Sequence, residues 1–499
     1  MKHYFGCIII LLLLTITNIV SIILKKDSLS VLLLPSSGCY SHDVMMRQFG
    51  ENINNNESVY WFQLLIYDFS INKKPFPKNW IPLIFNRTTV QNQAIISSGI
   101  SLFWEMNIPF DLTRPWDLRD HLLQECLTSL FSKMNTPTIQ FSNWPLSDGY
   151  ISSLNIPAMP SSVPKTGTLF SGKKMSFLER NMNFIFNLVI IFTRTLQSLS
   201  MLFDFNCNLF EIEAKHLFYV SRSEMIIEPI RPINNRIKYF GGNHNKDKYD
   251  YINEIEKLKN LNVTGDVLWN DLDNNKFILV TFGSISNVKN MPIHLLKIFL
   301  NTFKNCKYIV IWQSNTNHHE ITSLTNIKIP SNVKIVKWIP LTLLFNHRNL
   351  KYVICHGGIN TINELVYFKI PIVGIPLQGD QSSNLQRLVD LNVCKLITIR
   401  QVWNGELKKL LQIFEDNLNS FRERSNKIGS MVEFHKLFLK DEQVFWIQWS
   451  RRHGKKLHSK LDQKYFDMKM KSTIEMYMLQ DVLIYLTFCI IITIICYKN

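Results

Sequence analysis

The chain has 499 residues, with 55 Lys+Arg against 39 Asp+Glu and a formal charge of +16; at about 150 residues per domain this predicts about two to four domains, each with its own core. A hydrophobic share of 46% excludes a disordered chain, and 18 Gly with 18 Pro exclude collagen-like sequence. Nine Cys without a Cys-x-x-Cys pair argue against a disulfide scaffold and a structural zinc site, and scattered Lys and Arg without aromatic interleaving argue against nucleic acid.

At the N-terminus Lys2 and His3 precede an apolar run from Tyr4 to Leu24 that stops at Lys25-Lys26. This is the pattern of a secretory signal, with an uncleaved anchor as the alternative. Val31-Leu32-Leu33-Leu34 then reads as a buried strand broken by Pro35-Ser36-Ser37-Gly38. The stretch up to Pro164 is dense in Pro, Asn and aromatic residues and gives no clear periodicity. Asn181 to Phe203 reads as an apolar helix, and Gly241-Gly242 with the polar Asn243 to Asp250 reads as a domain linker.

From Phe277 the pattern is regular. Phe277 to Phe282, Tyr308 to Trp312, Val333 to Val336, Tyr352 to Cys355 and Ile372 to Ile375 are short apolar runs, and Ile293 to Phe303 is helical. Such runs alternating with helical stretches predict a parallel, doubly wound α/β sheet, whose ligands sit outside the carboxyl ends of the strands.

A second apolar run, Val482 to Tyr497, is short for a span of about 20 residues, but Met476 to Leu479 extend it. The two ends together predict a single-pass type I membrane protein with its main body lumenal. Sequons at Asn56, Asn86 and Asn262 are compatible with that side. The basic residues between Arg451 and Lys471 run against the positive-inside rule, which weakens for long translocated domains.

The chemistry collects just past the strand ends. In Cys355-His356-Gly357-Gly358-Ile359-Asn360-Thr361-Ile362-Asn363-Glu364 a strand ends, two glycines allow close backbone approach, and a helix starts near Asn360. Free N–H groups and the positive end of the helix dipole make such a start an anion site. His356, Asn360 and Thr361 can donate to a phosphate, and Glu364, one turn on, is placed to accept from ribose hydroxyls. The alternative is a glycine turn with a helix cap. Upstream, Trp338-Ile339-Pro340 offers a flat surface for a base, with His347 further along. Downstream of Pro371 and Pro376, Asp380-Gln381 follows a strand and suits sugar hydroxyls.

Trp338 to Gln381 resembles the donor-binding signature of the UDP-glycosyltransferases, specifically the membrane-bound animal UDP-glucuronosyltransferase family. The matching elements are Trp-Ile-Pro, His347, His-Gly-Gly-x-Asn-Thr-x-x-Glu, Pro-x-x-x-x-Pro and Asp-Gln, in order. More weakly, Gly283-Ser284 is similar to the family's Phe-Gly-Ser turn, Tyr239-Phe240-Gly241-Gly242 to the end of its N-terminal domain, and Trp446 to Gly454 to the segment before its anchor.

The resemblance implies an α/β protein of GT-B type, with two facing Rossmann-like domains, an N-terminal signal and a C-terminal transmembrane helix. It implies a signal over residues 1–24, an acceptor-binding domain over 25–242, a UDP-sugar-binding domain over 243–445, a return helix and juxtamembrane segment over 446–480 and a transmembrane helix over 481–497. Carried over by position, Trp338 would stack on uracil. His356, Gly357, Gly358, Asn360 and Thr361, with Gly283-Ser284, would hold the diphosphate; Glu364 would bind ribose, and Asp380 and Gln381 the transferred sugar. The catalytic base would be His42 of Ser41-His42, oriented by Asp120, with Asp117 competing for that role. Leu341 stands where the family usually has Gln, and Lys369 where it usually has Gly.

The function implied is an inverting hexosyltransferase that moves glucuronate or glucose from a UDP-sugar to a hydroxyl of a small lipophilic acceptor. No metal or other cofactor is expected. The expected partners are the UDP-sugar donor, the acceptor and a membrane, with no nucleic acid and with room for a homo-oligomer; the endoplasmic reticulum is the expected location. The alternatives are a non-catalytic UDP-sugar-binding membrane protein of the same fold, and a cytosol-facing glycosyltransferase that extends a lipid-linked sugar.

Overall fold

The computed structural model describes residues 30–34, 40–53, 58–65, 75–86, 137–142, 145–146, 148–205, 208–242, 269–283, 286, 288–314, 316, 318–325, 327–337, 339, 341–457 and 479–498. The signal-like run, the linker over 243–250, the sequons Asn56 and Asn262, and the candidates Asp117, Asp120, Ser284 and Trp338 lie outside these residues. The chain divides into two compact units. The first comprises residues 1–96 and 440–451, and the second comprises 97–439 and 452–499.

In the first unit β1 (Ser30–Leu33), β2 (Ser58–Leu65) and β3 (Trp80–Asn86) form a parallel sheet in that order, and α1 (Tyr40–Glu51) links β1 to β2. Trp61 is buried and stacks on Trp80 at 5.8 Å. A Cβ on Gly50 of α1 would lie 2.5 Å from both Leu33 Cδ1 and Trp80 Cη2, so glycine is what lets the helix lie close on the sheet. Pro82 sits on β3, the last strand of this sheet on one side among the described residues; an edge strand tolerates a missing N–H donor. Asn52 Nδ2 donates to Gln443 Oε1 at 2.8 Å, tying the 440–451 piece into this unit.

The second unit opens with β4 (Ile139–Ser142), α2 (Asp148–Ser153), α3 (Phe177–Phe205), α4 (Leu209–Ala214), β5 (Phe218–Ser221) and β6 (Ile237–Tyr239), the strands pairing in parallel as β4-β5-β6. The apolar helix expected over Asn181 to Phe203 is α3, and it begins earlier. Ser176 and Glu179 explain this: Ser176 N–H donates to Glu179 Oε2 at 2.7 Å, and Glu179 N–H donates to Ser176 Oγ at 3.3 Å. That reciprocal pair is a capping box.

Arg194 of α3 pairs with buried Glu213 of α4, which also accepts from Ser153 of α2, so three helices share one polar knot. By length and composition α3 is apolar enough to cross a membrane, and Phe177 and Phe192 are 76% and 64% exposed.

The regular part of the sequence forms a six-stranded, all-parallel sheet. After α5 (Trp269–Asn274) come β7 (Phe277–Thr281), α6 (Ile293–Lys304), β8 (Ile309–Gln313), α7 (His318–Thr325) and β9 (Val333–Val336). Then follow α8 (Leu341–Phe345), β10 (Leu350–Cys355), α9 (Ile359–Tyr367), β11 (Ile372–Gly374), α10 (Gln381–Asp390) and β12 (Cys394–Leu396). The five strands expected from the apolar runs are present within one or two residues. The sixth, β12, has three residues with Lys395 exposed, too little apolar length to stand out in the sequence.

The strand order is β12-β11-β10-β7-β8-β9. The chain therefore winds outward from β7 to β9, returns to the far side of β7 as β10, and winds outward again. Ile278 and Val280 pack into one buried cluster and Phe277 and Leu279 into another, so both faces of β7 are covered, as parallel sheets require. Helices α11 (Ile399–Trp403), α12 (Leu407–Asp416) and α13 (Leu418–Leu457) follow β12, and α14 (Leu479–Lys498) carries exposed Leu483, Ile484, Tyr485 and Phe488.

Lys369 follows α9 with φ +62°. Its N–H donates to Val366 O at 3.1 Å, and Ile370 N–H donates to Leu365 O at 3.0 Å. These two bonds make a Schellman turn, whose left-handed position normally holds glycine. The departure from Gly at this position is thus a lysine held in a left-handed conformation, with Nζ paired to Glu433 at 2.7 Å.

Candidate functional site

The strand order places a topological switch between β7 and β10, and in open α/β sheets ligands bind at the carboxyl ends of the strands at such a point. Two glycine turns meet there. Gly283 follows β7 with φ +76°, and a Cβ on it would lie 2.8 Å from His356 Nε2. Gly358 follows β10, and a Cβ on it would lie 2.7 Å from the same nitrogen. The His356 imidazole therefore fits only because both neighbours lack side chains. Gly357, at φ +92°, has Leu385 Cγ 2.5 Å from where its Cβ would be, which brings α10 against the same turn.

His356 Nδ1 is buried and makes no hydrogen bond among the described residues. Burial pushes the imidazole pKa down to about 4, against a weaker opposing effect of a hydrogen bond to the Thr281 backbone. His356 is therefore neutral at physiological pH and carries no charge into the turn. Helix α9 begins at Gly358, which has no side chain to cap it, and Asn360 and Thr361 lie in its first turn. Glu364 is one turn further. Burial pushes its carboxyl pKa up to about 7, with Arg222 pulling it down.

Asp380 and Gln381 open α10 after β11. Gln381 is buried, and its Oε1 accepts from Leu377 N–H at 2.9 Å and Gln378 N–H at 3.0 Å. Its carbonyl end thus shapes the turn that carries Asp380. Asp380 Oδ2 accepts from Asn384 Nδ2 at 2.6 Å, and the same Nδ2 reaches Gly357 O at 3.2 Å. Asn384, which no sequence motif singled out, joins the two turns and is fully buried; an Asn four positions after Asp380 was the only sequence trace of it.

A loop from the first half of the unit meets this turn. Gly167, at φ +88°, donates its N–H to Ser383 Oγ at 3.1 Å, and a Cβ on it would lie 3.2 Å from Gly379 O. Asn183 of α3 holds the loop, accepting from Lys165 N–H at 2.7 Å and donating to Pro160 O and Val163 O.

His347 has a structural place. Its Nδ1 accepts from Asn349 N–H at 3.1 Å, which leaves Nε2–H to donate to Asp273 Oδ1 at 3.1 Å, and its ring lies 5.2 Å from Phe277. It fastens α5 beneath the sheet. Leu341 is the first residue of α8. His42 lies on α1 in the first unit, and its side chain is outside the described set. Gly283, His356, Gly357, Gly358, Asn360, Thr361, Asp380 and Gln381 lie on the turns and helix starts at the carboxyl ends of β7, β10 and β11, and Glu364 lies one turn further along α9.

These features define a doubly wound α/β protein with a candidate ligand site at its switch point. The family model described as "UDP-glucoronosyl and UDP-glucosyl transferase" matches residues 122–497, and the chain belongs to that family. It is similar to UDP-glucosyltransferase 2 of Dactylopius coccus, 26% identical over 285 residues covering 56% of this chain and 50% of that one. It is also similar to UDP-glucuronosyltransferase 3A1 of Homo sapiens, 32% identical over 187 residues covering 37% and 34%. The chain thus spans about half the length, or less, of these relatives.

Among solved structures it resembles a UDP-glucose: anthocyanidin 3-O-glucosyltransferase in complex with UDP, with TM-score 0.52 and 14% identity over 85% of this chain and 100% of that one. It also resembles a UDP-glucosyltransferase from Polygonum tinctorium, with TM-score 0.53 and 11% identity over 86% and 99%. This likeness is one of fold, that of the GT-B UDP-glycosyltransferases.

Proposed function

We propose that this chain transfers a hexose, glucuronate or glucose, from a UDP-sugar to a hydroxyl of a small lipophilic acceptor with inversion. The observation that carries the donor half is the junction of the Gly283 turn, the His356-Gly357-Gly358 turn and the uncapped start of α9 at the switch point, with Glu364 one turn on. In this reading the diphosphate takes N–H groups from the α9 start, with His356, Asn360, Thr361 and the Gly283-Ser284 turn around it. Glu364 accepts from the ribose hydroxyls, Trp338 stacks on uracil, and Asp380 and Gln381 hold the sugar. Because Gln381 Oε1 is occupied by two backbone N–H groups, its contribution falls to the amide nitrogen.

In the reaction His42, oriented by Asp120, accepts the proton of the acceptor hydroxyl as that oxygen bonds to the anomeric carbon. The bond from that carbon to the diphosphate oxygen breaks on the opposite face, and UDP leaves. Charge growing on the leaving diphosphate is met by the N–H groups of α9 and by His356. No metal or other cofactor takes part. In the same reading the N-terminal run is a cleaved signal or an anchor, α14 spans the membrane, and the body is a glycoprotein in the lumen of the endoplasmic reticulum.

The test is UDP release from a panel of UDP-sugars with lipophilic phenols. His42→Ala is expected to lose about a hundred- to ten-thousandfold in turnover while still binding UDP. UDP-sugar binding by the wild-type chain with no turnover of any donor would leave only a binding function.

A further inference from the structure

The loop from Lys165 to Gly172 has no regular structure, yet its backbone is tightly held. The N–H groups of Lys165, Thr166 and Gly167 each go to a side chain on a different helix: Asn183 Oδ1 of α3 at 2.7 Å, Asp148 Oδ2 of α2 at 2.8 Å and Ser383 Oγ of α10 at 3.1 Å. Thr168 Oγ1 donates to Lys165 O at 2.8 Å and closes the turn. Further on, Ser171 Oγ donates to Asp390 Oδ1 at 2.7 Å and Gly172 N–H to Asp390 Oδ2 at 2.8 Å, so the loop also grips the last residue of α10.

Ser383 is 3% exposed and passes the contact on. Its Oγ accepts from Gly167 N–H and donates to Asp380 O at 2.9 Å, so one hydroxyl links the loop to the main chain of Asp380. Asp380 is thus held from two directions. Asn384 Nδ2 ties its carboxylate to Gly357 O of the His-Gly-Gly turn, and Ser383 ties its carbonyl to Gly167. The fit at Gly167 is close: φ is +88°, and a Cβ there would lie 3.2 Å from Gly379 O, one residue before Asp380.

We propose that Ser383, with Gly167, is a positioning residue for the transferred sugar, setting where the Gly379-Asp380-Gln381 turn stands. This role rests on the reading of Asp380 as a contact of that sugar. Without the Ser383 hydroxyl, Gly167 N–H is left buried with no acceptor, and the loop relieves that cost by moving away from the turn. The diphosphate, ribose and uracil are assigned to other elements, the Gly283 turn, α9 and Trp338. A shift of the Asp380 turn therefore weakens the hold on the sugar and spares UDP.

The experiment measures dissociation constants of the full chain for UDP, UDP-glucose and UDP-glucuronate by calorimetry, which requires no turnover. The readout is the Kd of the sugar nucleotide that wild type binds more tightly, divided by the Kd of UDP. Ser383→Ala should raise this ratio roughly threefold to tenfold, the worth of about one hydrogen bond, with UDP itself within about twofold of wild type. Gly167→Ala should raise it in the same direction by pushing on Gly379 O, and gives the reading should Ser383→Ala not fold. Ser383→Thr keeps the oxygen and should keep the wild-type ratio. Ser171→Ala cuts the loop from the far end of α10 and should leave the ratio unchanged.

Equal weakening of UDP and sugar nucleotide in Ser383→Ala and Gly167→Ala would mark a plain structural tether and overturn the positioning role. An unchanged ratio in both, or a rise in Ser171→Ala as large as in Ser383→Ala, would overturn it too. Asp380→Ala with a wild-type ratio would instead overturn the sugar reading beneath it.

Discussion

Glu364 and His356 are both desolvated, and desolvation moves them in opposite directions, to about 7 and about 4. For His356 the unfolded chain takes up a proton near pH 6.5 that the folded chain refuses until about 4, so folding loses stability as pH falls through that window. For Glu364 the unfolded carboxyl ionises near 4.5 and the folded one only near 7, so folding loses stability as pH rises through that window. The two effects oppose one another where the windows overlap. Glu364→Gln removes the second alone. Chemical denaturation across pH should show the variant gaining on wild type from about pH 4.5 to about pH 7, by on the order of 3 kcal/mol. The same variant should bind UDP about ten- to hundredfold more weakly, as loss of hydrogen bonds to a charged acceptor implies. Gly283→Ala should also weaken UDP, because its Cβ would displace the His356 imidazole from a backbone already at φ +76°.

Two helix ends carry local chemistry that can be tested by stability alone. Lys369 occupies the left-handed position that closes α9, where a side chain costs about 1 kcal/mol or more relative to glycine. Lys369→Ala and Lys369→Gly both lose the ion pair with Glu433, so comparing them isolates the backbone. The glycine variant should be the more stable by about 1 kcal/mol in urea denaturation, against a general preference for alanine. At the start of α3, Ser176→Ala removes the Oγ that caps Glu179 N–H and should cost about 0.5–2 kcal/mol. Equal stability of that variant and wild type would mean that packing of Asn183 and Arg194 alone determines where α3 starts.

The chain as a membrane protein is testable without knowing its substrate. In sealed microsomes most of its length should resist added protease until detergent is present, and endoglycosidase should shift its mobility if the sequons are used. Digestion without detergent would instead favour the cytosol-facing alternative. Helix α3 belongs in the same experiment. Its exposed Phe177 and Phe192, and a length sufficient to span a bilayer, make it a second apolar helix beside α14.

Composition and periodicity were enough to read the six-stranded sheet almost strand for strand, because both faces of a parallel sheet are buried and its strands become uninterrupted apolar runs. The glycine turns at Gly283, Gly357 and Gly358 were legible for a related reason: close backbone approach leaves only one residue type available. The first half of the chain was less legible. Its strand β3 carries Pro82 with Ile81 and Ile84 exposed, and the start of α3 was marked by a capping box that periodicity does not register.

Other features depended on residues far apart in sequence. The neutrality of His356 follows from its enclosure, and the structural role of His347 from Asp273, 74 positions away. The buried bond from Asn363 Nδ2 to the Arg222 carbonyl joins segments 141 positions apart. Local pattern determined which elements form. The protonation state of each site group was decided only by folding, because desolvation and opposite charge act through space and leave no periodic trace in the sequence.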